Sequence, residues 1–149
     1  MKIRKNIFYW TMVILVASSS LFFTSCKKDK INQSSDVKLN FLSDTLTFDT
    51  VFVSLGSTTK SFTVRNTENS PVEISQIYLK NGENSSFRLT IDGDKGNSAQ
   101  NVVIPAKDSI YIFVEVTVDP NSDTLPFIML DEVVFETNGN QQKVVLQAY

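Results

Sequence analysis

Ser109–Val118, SIYIFVEVTV, places Ile110, Ile112, Val114, Val116 and Val118 at every second position. Side chains alternate across a β-sheet, so these five share one face of a strand, whereas a helix would scatter them around its circumference. The same period of two, with β-branched enrichment, recurs along the chain. Leu46–Val53 puts Leu46, Phe48 and Phe52 on one face, and Lys60–Asn66 alternates through Phe62 and Val64. Val72–Leu79 carries Val72, Ile74, Ile77 and Leu79, and Phe87–Ile91 alternates cleanly. Asn101–Ile104 is short and stops before Pro105, and residues 129–137 and 143–148 complete the set. No stretch after Cys26 has helical spacing.

Turn signals separate these runs. Asn81-Gly82 and Asn138-Gly139 read as hairpin dipeptides, because both residue types tolerate positive φ. Asp119-Pro120 ends the long strand, since proline donates nothing to a ladder. About seven to nine strands at such spacing predict an all-β fold, an immunoglobulin-like β-sandwich over residues 39–149.

The segment before the strands differs in kind. Met1–Lys5 holds two lysines and an arginine, Ile7–Phe23 is almost wholly apolar, and Thr24, Ser25 and Cys26 follow. A basic start, an apolar run and a small-residue cleavage site make a secretory signal over residues 1–25. The rival reading, a retained transmembrane helix, needs about 20 apolar residues, and this run is shorter and broken by Ser18, Ser19 and Ser20. Residues 26–38, with the polar run KKDKINQSSDVK after Cys26, read as a flexible tether.

Phe22-Phe23-Thr24-Ser25-Cys26 resembles the lipobox of bacterial lipoproteins, with Ser25 as the small residue before the cysteine. The lysine-rich stretch that follows is similar to lipoproteins of the Bacteroides group. The resemblance implies cleavage before Cys26, acylation of that residue by chains such as palmitate, and a lipid anchor in the cell envelope, at the outer membrane. Several acyl chains anchor stably where one binds marginally. With only Asp29 acidic in KKDK, the face of that membrane stays open. Removing residues 1–25 takes three of the 14 basic residues and no acidic one, leaving 11 against 16 and a net charge of −5.

The strands carry a second likeness. Phe48-Asp49-Thr50-Val51 followed by Gly56 and Asn66 resembles the opening of ASH-type immunoglobulin-like domains. Pro71-Val72, Ile77, Phe87, Ile104-Pro105 with Ser109, Asp119-Pro120 and Phe135-Glu136-Thr137-Asn138 are similar to later positions of that pattern. These positions specify a fold, so the resemblance implies a spacer or binding unit and transfers no catalytic residue. It also implies longer relatives, in which such a module continues into another domain.

Composition narrows the function classes. The chain of 149 residues has no histidine, which removes the commonest general base and metal ligand together. Its one cysteine makes neither an internal disulfide nor a multi-cysteine zinc site. Basic residues are scattered, which argues against a nucleic-acid partner. There is no Gly-x-Ser-x-Gly elbow, so a small hydrolase is disfavoured. The reading is a non-enzymatic module without a cofactor, held to a membrane through Cys26 and meeting a protein or glycan partner. The alternative is a carbohydrate- or calcium-binding module of a nutrient-capture lipoprotein.

Three groups of residues are candidate sites beyond Cys26. Tyr111 and Phe113 lie opposite the Ile/Val row of their strand, the face that normally meets solvent, and read as a contact surface. Asp92, Asp94 and Asn97 place oxygens in a glycine-containing loop, a weak calcium pattern lacking the EF-hand order. Asp followed by Ser or Thr and an apolar residue occurs four times, and resembles the O-glycosylation sequon of Bacteroides-type exported proteins, with Thr45, Thr50, Ser109 and Thr124 as acceptors. Asp131-Glu132 is the carboxylate pair to weigh for acid–base work, against an ordinary solvated strand end.

Overall fold

A computed structural model describes residues 30–49, 59–116 and 128–149. Ten strands occur among them: β1 (Asn40–Phe41), β2 (Thr45–Phe48), β3 (Thr59–Arg65), β4 (Val72–Leu79), β5 (Phe87–Ile91), β6 (Asp94–Lys95), β7 (Ser98–Ile104), β8 (Ser109–Val116), β9 (Met129–Thr137) and β10 (Asn140–Ala148). They form two five-stranded sheets, ordered β1-β3-β8-β5-β6 and β2-β10-β9-β4-β7. The fold is a β-sandwich. It exceeds the expected seven to nine strands because β1 and β6 have two residues each, too few to show a period.

Alternation sets the core. Ile110, Ile112, Val114 and Val116 of β8 are buried between the sheets while Tyr111, Phe113 and Glu115 face out. Phe62, Val64, Phe87, Leu89 and Ile91 join them from the first sheet, facing Phe48, Val133, Phe135, Val144 and Leu146 from the second. Phe135 packs against Phe41 in a tilted pair at 5.0 Å and meets Phe62 edge-on at 6.2 Å, so one ring links the two sheets.

In β4 the inward residues change phase, from Val72 and Ile74 to Ile77 and Leu79. The neighbouring edge strand β7 changes phase at the same level, with Ala99, then Val102 and Ile104, turned to the core. Asn101, at φ 53°, makes that turn. The pairing continues in one register on both sides, Ile74 with Val102 and Gln76 with Gln100. A kinked edge is a poor template for another chain.

The connections show where local signals suffice. Asn138 and Gly139, at φ 49° and 79°, close the β9–β10 hairpin with Thr137 paired to Asn140, as expected. Asn81-Gly82, in contrast to the expectation from sequence, does not close a hairpin. Gly82 is at positive φ, but it opens a short 3-10 turn (Gly82–Asn84) that carries the chain from β4 in one sheet to β5 in the other. A further two-residue hairpin lies at Asp92-Gly93, with Ile91 paired to Asp94. β2 pairs parallel to β10, Thr45 beside Val145 through Phe48 beside Ala148. A parallel pair cannot be joined by a tight turn, so this contact is made across most of the chain.

Residues 26–38 are the expected tether, and its described part lies on the sandwich instead. The side chains of Asn138 and Asn140 donate to the carbonyls of Asn32, Ser34, Ser35 and Val37. Gln142 reads the backbone of Leu39 in both senses, accepting from its N–H at 2.8 Å and donating to its carbonyl at 2.9 Å. The Asn32 N–H donates to the Pro71 carbonyl at 2.8 Å, and Val37 and Leu39 are buried in the core. This strap is held by amide side chains, which do the work of a missing ladder.

Candidate contact surface

β8 is the central strand of its sheet, and its outer face carries Ser109, Tyr111, Phe113 and Glu115. Tyr111 is 54% exposed and Phe113 42%. Their rings stack at a centroid distance of 6.5 Å and an interplanar angle of 30°. Both neighbours in the sheet set short hydroxyl side chains beside them. Thr63 pairs with Tyr111 and Ser61 with Phe113 on β3, while Thr90 pairs with Phe113 on β5. Glu115 accepts from the Thr59 hydroxyl at 3.4 Å, and Arg88 turns its guanidinium back to the Phe87 carbonyl. The sequence expected this pair to face out. The hydroxyl border was not visible there, because it comes from two strands remote in the chain.

The other candidates are dispersed. Asp92 sits at φ 49° in the hairpin turn, its N–H donating to the Tyr111 carbonyl, and Asp94 is exposed beside it. The Asn97 carbonyl accepts from the Leu79 N–H and so serves the fold. Among the described residues no three His, Cys, Asp or Glu side chains gather as a metal site. Thr45 and Ser109 are half-buried at the starts of β2 and β8. The Thr45 hydroxyl donates to the Asp44 carboxylate at 3.2 Å, and the Asp108 carboxylate accepts from the Ser109 N–H at 2.8 Å. In both cases the aspartate caps a strand start. Cys26, Thr50 and Thr124 lie outside the described residues.

Asp131 and Glu132 do not face each other, because successive residues of a strand point to opposite faces. Asp131 is turned inward, 5% exposed, where its Oδ1 accepts from the N–H groups of Asn81 and Glu132. Among the described residues its Oδ2 has no partner. Glu132 points outward between Lys143 at 2.6 Å and Lys80 at 2.9 Å. These hydrogen bonds, that of Lys143 first, hold its carboxyl below the usual 4.5, and Glu132 in turn raises Lys80 above 10.5. An acid held ionised is a poor proton donor. The triad instead borders a shallow groove of about 400 Å³ with Tyr78, Val134, Gln141 and Gln142.

The signs give a pH prediction. Glu132 contributes its full stabilisation above 4.5 and loses it as pH falls through its lowered folded value. Lys80 contributes below 10.5 and loses its share as pH rises through its raised value. Urea midpoints from pH 2 to 8 are expected to fall on the acid side. Glu132→Gln flattens part of that fall, and 1 M salt shrinks the difference between the two proteins, because the triad is on the surface.

No family model matches the sequence, and no curated protein matches it. Solved structures do. A protein of unknown function from Porphyromonas gingivalis superposes with a TM-score of 0.59 at 11% identity, over 85% of this chain and 50% of that one. The Escherichia coli chaperone DraB gives a TM-score of 0.48 at 9% identity, over 75% of this chain and 54% of that one. The ASH/PapD-like domain 7 of human CEP192 gives 0.44 at 9% identity, over 85% and 93%. The chain thus spans about half the length of the first two structures it matches. Likeness at such identity speaks to fold alone, and the fold is a β-sandwich of two five-stranded sheets.

Proposed function

We propose that the protein is an exported, lipid-anchored immunoglobulin-like module that works by contact rather than catalysis, with acylated Cys26 in the outer membrane and Tyr111 and Phe113 meeting a protein partner. The observation that carries this is the exposed, stacked aromatic pair on the central strand of an otherwise polar sheet face. Tyrosine and phenylalanine are enriched in protein interfaces, where a rigid ring buries much area at little entropic cost. The hydroxyl border of Ser61, Thr63 and Thr90 favours a second reading, in which the partner is a neutral glycan.

Replacing Tyr111 and Phe113 by serine together should leave the urea midpoint almost unchanged, within about 0.5 kcal/mol per site, as for other surface substitutions. The same change should abolish capture of the partner from a native envelope extract by residues 30–149. The soluble form begins at residue 30 so that the strap is kept. Capture that survives enzymatic deglycosylation of the extract identifies a protein, and capture lost with it a glycan. Undiminished capture by the double variant would sink the assignment of this face.

A further inference from the structure

The strap decides which end of the sandwich an N-terminal anchor faces. Two ends are defined by register. At one end lie Arg65 beside Ser109, Val72 beside Ile104, and the Asn138-Gly139 turn. At the other lie Thr59 beside Glu115, Phe87 beside Val116, and Met129 beside Ala148. Asn32 is fastened at the first end, between the Pro71 carbonyl and the Asn138 side chain. Asn66 ties the loops of that end together, donating to the carbonyls of Ser70, Ile104 and Pro105 while accepting from the Glu68 N–H. Only five residues, Lys27 to Ile31, lie between Cys26 and Asn32, so six Cα–Cα steps join them. That is a reach of about 20 Å at full extension, against about 27 Å from end to end of β10.

We infer that the strap stands the sandwich end-on against a lipid surface, with residues 66–71, 105–108 and the Asn138-Gly139 turn toward the head groups and the β4–β5 connection away from them. The inference rests on the reading that the N-terminal segment attaches to a membrane. The near loops suit head groups rather than the acyl region. They carry Glu68, Lys107 and Asp108, and the exposed apolar side chains nearest them, Ile31 and Val103, lie beside these loops rather than in them. Ile128, Leu130 and Tyr149, which are exposed, lie at the far end. Attachment therefore comes from the anchor, and the end supplies orientation.

The test uses the full-length lipoprotein purified from membranes, carrying Asn69→Cys at the near end or Glu83→Cys at the far end. Both positions are exposed, and acylated Cys26 leaves each introduced thiol as the only free one. A donor dye is placed on the thiol, and energy transfer is read to an acceptor on the head groups of phosphatidylethanolamine–phosphatidylglycerol vesicles. Transfer from position 69 is expected to exceed that from position 83 about threefold or more, given the ~27 Å between ends. Adding Asn138→Gly with Asn140→Ala, which removes the side-chain donors to Asn32, Ser34, Ser35 and Val37, should bring the ratio toward one. Equal transfer from the two positions on protein that floats with vesicles overturns the orientation alone. Failure of the unsubstituted protein to float overturns the attachment reading, and the orientation with it.

Discussion

Asn66→Ala is expected to lower stability by about 3–4 kcal/mol, read as a drop in the urea midpoint at constant slope. The side chain is 1% exposed and uses both halves of its amide. Its nitrogen donates to three carbonyls at 2.9–3.1 Å, and its oxygen accepts from the Glu68 N–H at 2.8 Å. Alanine leaves these backbone groups in a site that water enters poorly, and each orphaned group costs about 1–3 kcal/mol. Asn66→Asp separates the roles. A carboxylate still accepts from Glu68 but donates to none of the three carbonyls and repels them. A loss at least as large as that of alanine is expected, and a nearly silent Asn66→Asp would show that donation is not what holds this end.

Phe135→Ala is expected to cost about 3–5 kcal/mol and to lower the midpoint without changing the two-state character of unfolding. Phe135 is fully buried on β9 and touches Phe41 and Phe62 of the opposite sheet. Truncation removes transfer free energy and opens a cavity whose walls are anchored in two sheets, so collapse around it is limited. Phe135→Leu, which keeps most of the volume, should recover more than half of the loss. Thermal unfolding followed by near-ultraviolet circular dichroism, sensitive to the aromatic packing, checks both variants.

Much of this architecture was legible in the residues, for a reason visible strand by strand. Val72–Leu79 and Phe87–Ile91 have in the structure the bounds that alternation gave them. A strand facing a core writes its own period, whereas the change of phase between Ile74 and Ile77 emerges in the folded β4. The outward direction of Tyr111 and Phe113 followed in the same way from the inward row of β8. The strap reads as a tether because its sequence is polar and aperiodic, and what holds it are amides more than 100 residues away. Asp131 reads in the sequence as a solvated strand end, yet its carboxylate is drawn inward to accept from the start of the Asn81 turn. Asn81-Gly82 signalled positive φ correctly and a hairpin wrongly, since a dipeptide specifies a bend but not which sheet receives the next strand.

The residues alone show that the body is all-β, which side chains face the core, and that one aromatic pair faces out. These follow from a period of two and turn chemistry, both set by the stereochemistry of neighbouring residues. The order of strands in the two sheets, the parallel β2–β10 contact, the hydroxyl border of the aromatic pair, and the end of the sandwich at which Asn32 is fastened emerge in the folded chain alone. Those features depend on pairings between residues far apart in the chain. Their free energy comes from jointly buried surface and reciprocally satisfied backbone groups, which no single segment contains.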